Sequence, residues 1–397
     1  MISVAQARGR ILAGLKTVSR EVVPLTEGLG RVLAVSVSAR LAHPPADVSA
    51  MDGYAVRAAD AVAGAKLKVV GEAPAGHPFA GMVGQGETLR LFTGSHVPGG
   101  ADTVLIQENA QAMPGAIIVN EAPVIGRHIR RQGQDFALGD LLIAAPKRLT
   151  ARDIGLAAAA NYPWLQVFRR PRVAILATGD ELSLPGEPVG EGGIVNSNCA
   201  MLAAFVAACG GEAVMLPAVG DDVAAIAAAA EAARGADFLV TTGGASVGKH
   251  DLVQAGLAQH GFNLDFWKIA MRPGKPLIFG HAGEMPVLGL PGNPVSGYVC
   301  AVLFLAPALA AMAGLGEVPP VFEAARLRGS LPANDAREDY LRASLSWQEG
   351  GWAVAPFGRQ DSAMLRPLAQ ADALLRRPPF QEALAEGAVV EVLRLVS

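Results

Sequence analysis

At 397 residues, with a hydrophobic share of 51% and a charged share of 17%, the chain is too long for one domain and can bury a large core, which excludes disorder. Lys and Arg (33) nearly balance Asp and Glu (36), and a formal charge of −3 argues against a protein held to nucleic acid by bulk phosphate attraction. Cys199, Cys209 and Cys300 make no metal-ligand spacing with the 7 histidines, and the N-terminus reads as no secretory signal, so a reduced, cytoplasmic protein is expected.

Residues 3–16 read as a short helix that Ser3 can cap, with Val4, Ala7, Ile11, Leu12 and Leu15 on one face. Extended runs follow at 21–25 and 31–37. From 44 to 125 the chain alternates Gly and Pro with short β-type runs, which predicts a small β-rich domain. Residues 126–170 return to a mixed segment, where Thr150-x-x-Asp153 is placed to cap an Ala-rich helix.

The middle third changes character. The run 172–178 (RVAILAT) reads as a buried strand, and Ala-rich helical stretches then alternate with apolar runs as far as 290. That alternation predicts an α/β fold, a doubly wound open sheet, mainly parallel, with helices on both faces. Ligands of such sheets bind beyond the C-terminal strand ends, where the strand order switches. Met285 to Gly316 carries no charge, which raises the question of a membrane span. Its opening Pro and Gly residues, Pro307 within it and the lack of a Lys/Arg flank favour a buried or interface-lining helix and no membrane. Residues 320–397 return to β-type runs, a small barrel or sandwich.

Four loops after the strands of the middle third carry polar chemistry. Thr178-Gly179-Asp180-Glu181 brings two carboxylates to a strand exit. Thr241 to Gly248 is Gly-rich (Gly243, Gly244, Ser246, Gly248) and can turn backbone N–H groups into a nest for phosphate, with Asp251 just beyond. Pro291-Gly292-Asn293-Pro294-Val295-Ser296 sets a helix N-terminus and a hydroxyl at the same edge. Gly220-Asp221-Asp222 precedes a helix at Val223, and one of the two acids is expected to be its N-cap. Lys268, Arg272 and Lys275, stiffened by Pro273 and Pro276, add three cations within eight positions. Carboxylates that hold Mg²⁺ beside cations that hold oxyanions suit a polyanionic substrate. No Walker A or G-x-G-x-x-G pattern is present.

Further segments join these: SAMDGYAV (49–56), FTGSHVPGGADTVLIQE (92–108) and RRQGQD (130–135). With ATGDEL (177–182), TTGGASVGKHD (241–251), MRPGKP (271–276) and LPGNPVSG (290–297), the set resembles the molybdopterin molybdenumtransferase family, MoeA in bacteria and the gephyrin E domain in animals. The resemblance implies a linker domain (1–43 and 126–170), a β-rich domain inserted at 44–125, a MogA-like molybdopterin-binding α/β domain (171–318) and a C-terminal β-barrel (319–397). It also implies a homodimer with each active site between subunits, and functional encounters with molybdopterin adenylyltransferase and with cofactor-accepting enzymes.

The implied reaction joins adenylated molybdopterin and molybdate with Mg²⁺ and releases AMP and molybdenum cofactor. By matching position, Asp52, Glu181, Asp251, Lys268, Arg272 and Lys275 are the expected catalytic groups. Thr93, Asp135, Asp221, Gly243, Gly244, Ser246, Gly248, Pro291, Gly292, Asn293, Ser296, Arg337 and Ser362 are expected to bind substrate, and Glu181, Asp221 and Asp251 to hold the metal. Arg272 stands where many members have Lys, and Gln134 where many have Glu. The alternatives are a molybdopterin adenylyltransferase, which ATP consumption would reveal, and a gephyrin-like scaffold.

Overall fold

The computed structural model describes residues 1–243, 252–348 and 350–395. The chain forms two compact units, one of Met1–Glu21, Gly30–Ala34 and Val167–Ser397, the other of Val22–Leu29 and Val35–Gln166. It passes between them at 21/22, 29/30, 34/35 and 166/167, four crossings.

Helix α1 (Val4–Ala13) of the first unit begins on a capping box: Gln6 N donates to Ser3 Oγ (3.1 Å) and Ser3 N to Gln6 Oε1 (2.9 Å). Val4, Ala7 and Ile11 are its buried side.

In the second unit, β1 (Gly53–Val56), β2 (Lys66–Ala73), β3 (Glu87–Leu91), β4 (Thr103–Ile106), β5 (Ala110–Met113) and β6 (Ala116–Val119) form one sheet in the order β4-β1-β3-β2-β6-β5. Alternation along the strands gives it two apolar faces. Tyr54, Val56, Leu105 and Ile117 pack on one side, and Ala55, Leu89, Leu91 and Val104 on the other. Helix α2 (Ala151–Ala159) starts on the Thr150–Asp153 capping box read from the sequence.

The rest of the first unit is built on β7 (Arg172–Ala177), α3 (Ser197–Ala208), β8 (Glu212–Met215), α4 (Val223–Ala232), β9 (Phe238–Thr242), α5 (Leu252–Ala258), β10 (Phe262–Lys268), the short β11 (Met271–Arg272), β12 (Pro276–Ala282) and β13 (Met285–Leu290). The sheet order is β8-β7-β9-β13-β12-β10. The first four strands are parallel, as expected, and β12 and β10 extend the sheet antiparallel. That extension has no counterpart in the sequence reading, although Phe262, Leu264 and Phe266 alternate with Asn263 and Asp265 along β10. Val173, Ile175 and Val240 face α1, α3 and the helix after β13, while Ala174, Leu176 and Leu239 face α4 and α5.

Helix α6 (Pro294–Leu315) is long and apolar enough to cross a membrane by length and composition, and 61% of its most apolar window is buried inside the protein. Val295, Val299, Leu303, Phe304 and Leu309 belong to the main core, so its apolarity is accounted for by packing. It opens into π turns at Ala301–Leu305 and Ala311–Leu315, and the first of these absorbs Pro307, whose ring a regular helix would reject.

The chain ends in β14 (Glu323–Leu327), β15 (Glu338–Gln348), β16 (Gly351–Pro356), α7 (Leu365–Ala369), β17 (Ala373–Arg377) and β18 (Val389–Arg394). Strands β15-β16-β14-β18-β17 pair in that order, and β17 pairs back onto β15, closing a five-stranded barrel around Leu327, Ala343, Val354, Leu375 and Val392. The short β11 joins β15 from outside, Arg272 opposite Asp339.

Candidate active site

The chain runs from β7 to β8 on one side of the sheet and then to β9 on the other side of β7, so the strand order switches between β7 and β9. The loops leaving those strands are in direct contact. Thr178 N donates to Thr242 O (3.1 Å), and Gly243 adopts φ +95° with its backbone so close that a Cβ would lie 2.3 Å from Thr178 O. A side chain there would keep the loops apart.

A cleft of about 820 Å³ opens at this point, lined by Glu181, Asp221, Gly243, Pro291, Gly292 and Asn293 among others. Two helix N-termini face it. Asn196 Oδ1 accepts from Cys199 N (3.2 Å) and caps α3, whose first residue is Ser197; Pro294 occupies the first turn of α6. Helix N-termini with free N–H groups favour a bound anion. Asn198 ties the loops together, its Nδ2 donating to Gly292 O (2.7 Å) and Thr242 Oγ1 (2.8 Å). Among the described residues its Oδ1 and the Thr178 Oγ1 are buried without a partner. Such atoms are costly unless a ligand or water meets them.

Part of the lining is acidic. Asp221 N donates to Asp180 Oδ1 (3.0 Å), and the Asp221 carboxyl is pushed up by burial and then by the charges of Asp180 and Glu181. A divalent cation would relieve that repulsion. Glu181 and Asp221 supply hard oxygen donors, and Mg²⁺ takes one or two carboxylates while water and phosphate complete its shell. Among the described residues no group of three or more His, Cys, Asp or Glu closes into a metal site. The expected third ligand, Asp251, lies outside the described residues, as do Gly244, Ser246 and Gly248.

The barrel contributes to the rim. Asn293 Nδ2 donates to Ser362 Oγ (3.0 Å), Val295 N donates to Ser362 O (3.0 Å), and Ala363 and Leu365 line the cleft. Ser296 is buried in the first turn of α6. The three cations are dispersed. Lys268 lies over the Trp267 ring at 3.6 Å, and Lys275 is exposed. Arg272 is turned to the barrel, paired with buried Asp339 and with Asp335 (3.4 Å), and Asp335 also pairs with Arg337 (2.9 Å). That second cluster stands apart from the cleft lining. Arg337 and then Arg272 hold the Asp335 carboxyl at about 2.

In the other unit, Asp52 and Thr93 are brought together. Thr93 N (2.7 Å) and Oγ1 (2.9 Å) both donate to Asp52 Oδ1, which holds that carboxyl below its usual value. Asp135 is exposed, its N–H donating to His43 O (3.0 Å). Asn198 and Asp339 are not among the expected site residues, and Thr178 and Asp180 belong to a loop that the sequence singles out without giving either a role of its own. The two asparagines of Val-Asn-Ser-Asn ahead of an Ala-rich helix were the available signal for Asn198.

Family comparisons match three successive regions: the MoeA N-terminal region (domain I and II) at residues 2–161, a probable molybdopterin binding domain at 174–311, and the MoeA C-terminal region (domain IV) at 324–395. The chain is 36% identical over 386 residues to a molybdopterin molybdenumtransferase of Nostoc sp., covering 94% of this chain and 88% of that one. It is 35% identical to molybdopterin molybdenumtransferase 2 of Mycobacterium tuberculosis, covering 98% of both. The crystal structure of the molybdopterin biosynthesis MoeA protein from Pyrococcus horikoshii is similar over 100% of each chain, with TM-score 0.87 and 30% identity.

Proposed function

The chain belongs to the MoeA family, transferases that insert molybdenum in molybdenum cofactor biosynthesis, and from that premise we propose the details of its reaction. Its substrates are adenylated molybdopterin and molybdate. Its phosphoanhydride cleavage needs Mg²⁺ and water, and its products are molybdenum cofactor and AMP. The two thiols of the pterin dithiolene bind molybdenum as molybdate gives up oxygen as water. The protein's own thiols are not needed for that capture, and burial pushes the Cys300 thiol well up and raises the Cys199 thiol, both in the direction that disfavours a thiolate.

The observation that carries this reading is the meeting, at the strand switch, of two helix N-termini with a repelling carboxylate pair. The N-termini and the glycine-lined loops hold the pyrophosphate oxygens. Glu181 and Asp221 would hold Mg²⁺, which supplies charge neutralisation at the phosphoanhydride. Asn198 keeps the β9 and β13 loops at a fixed separation, so that positioning and electrostatics do most of the work.

The enzyme works as a cytoplasmic homodimer whose active site is shared between subunits, Asp52 and Thr93 completing the partner's cleft. The resemblance and the pairing of those two residues outside the cleft-bearing unit support this. Anaerobic incubation with adenylated molybdopterin, molybdate and Mg²⁺ is expected to release AMP in step with cofactor formation. ATP-dependent adenylation of molybdopterin, without AMP release from the adenylated substrate, would assign the protein to the preceding step instead.

A further inference from the structure

In the sheet of the second unit, Arg90 on β3 stands opposite Tyr54 on β1. Its Nη1 donates to Gly53 O (3.4 Å), and its Nη2 reaches Gln107 Oε1 (2.7 Å) at the end of β4. The guanidinium also lies over the Tyr54 ring at 4.9 Å and the Phe92 ring at 5.2 Å. All four contacts fall beside the Asp52–Thr93 pair. Gly53 and Tyr54 follow Asp52, Phe92 precedes Thr93, and Gln107 N donates to Asp52 O (3.2 Å). Gly53 permits this convergence, because a Cβ there would lie 2.2 Å from Leu105 O on β4.

Asp52 itself is exposed, and only its Oδ1 is held, by Thr93. After those two bonds, the nearby Arg90 charge also lowers that carboxyl. We propose that Arg90 is a positioning residue for Asp52, an inference that rests on the reading above that Asp52 completes the partner's cleft. The planar fork spans Gly53 and Gln107, and the two rings fix its plane. The three loops that carry Asp52, Thr93 and Gln107 are thereby tied into one rigid group, which fixes the direction in which Oδ2 is presented. A lysine would keep a charge over the rings but could not bridge both acceptors.

Steady-state AMP release from adenylated molybdopterin by the full chain, with melting curves alongside, tests this. Arg90→Gln is expected to lower kcat about tenfold or more while KM stays within about threefold, because a misplaced group costs turnover more than binding. Gln107→Leu, at an exposed position, removes only the far anchor and should lower kcat about threefold with wild-type melting. It decides the matter alone if Arg90→Gln melts early. Arg90→Lys should not restore turnover. Because Arg90 acts through Asp52 of its own chain, subunits carrying Arg90→Gln and Asp52→Ala should not complement each other. Arg90→Gln mixed with Lys275→Ala should regain roughly a quarter of wild-type activity. Wild-type kcat in both Arg90→Gln and Gln107→Leu, a change in KM alone, rescue by lysine, or complementation between Arg90→Gln and Asp52→Ala overturns the inference and leaves Asp52 in its role. Failure of Asp52→Ala and Lys275→Ala to complement each other removes the shared site, and the inference with it.

Discussion

At Asp222 the side-chain Oδ1 accepts from Ala225 N (2.7 Å) and caps α4, while the carboxyl of its neighbour Asp221 faces the cleft among like charges. The sequence left open which acid was the cap, and the two now separate in their expected effects. Asp222→Ala is expected to cost about 1 kcal/mol of stability and to leave the proposed Mg²⁺ requirement unchanged. Asp221→Asn removes repulsion rather than a bond, so thermal denaturation should show no loss, while Mg²⁺ titration of AMP release should shift tenfold or more. The reverse pattern would exchange the two roles.

Helix α2 shows how a local signal becomes a pH-dependent contribution. Burial alone would raise the Asp153 carboxyl, but Lys147 Nζ (2.6 Å), Thr150 N (2.8 Å) and Thr150 Oγ1 (2.7 Å) outweigh it and hold it at about 2, below its ordinary 3.8. The folded value lies under the unfolded one, so this stabilisation is complete above about pH 4 and is lost as pH falls towards 2. Asp153→Asn is expected to lower stability by about 1–2 kcal/mol at pH 7, with urea midpoints converging on wild type near pH 2. A difference that does not change with pH would sink the charge account. At the β9 exit the constraint is steric: Gly243→Ala would drive a Cβ into backbone oxygen at Thr178, at positive φ. A loss of about 2 kcal/mol or more, with impaired AMP release, is expected from melting and activity measurements. An unchanged melting temperature would mean that the loops can part.

On the scale of the molecule, the proposed sharing of each site between two subunits makes a quantitative expectation. Asp52→Ala and Lys275→Ala should each be inactive alone. Freely exchanged mixtures contain about half mixed dimers with one intact site each, restoring roughly a quarter of wild-type activity. Mixed dimers that assemble and stay inactive would place each site within one chain. What could be read beforehand follows the range of the forces involved. Capping boxes at Ser3 and Thr150 and the buried run of β7 are set within a few residues, and the sequence displayed them. Convergence of the loops followed from the rules of parallel sheets. The bond from Asn293 to Ser362 spans 69 residues, and that from Asn198 to Gly292 spans 94, so no spacing announces either. Nor did the three cations say which of them would be drawn off; buried Asp339 requires a counter-charge, and Arg272 lies opposite it in the β11–β15 pair. The four passages of the chain between its two units carry a practical consequence for dissection by protease. One nick in any connection leaves three peptide links intact, so limited proteolysis should yield a clipped protein that elutes at full size until denatured. A fragment expressed as 35–166 would also lack residues 22–29, whose Leu25 N donates to Pro163 O (2.9 Å), so it should be protease-sensitive until that strip is supplied as a separate peptide.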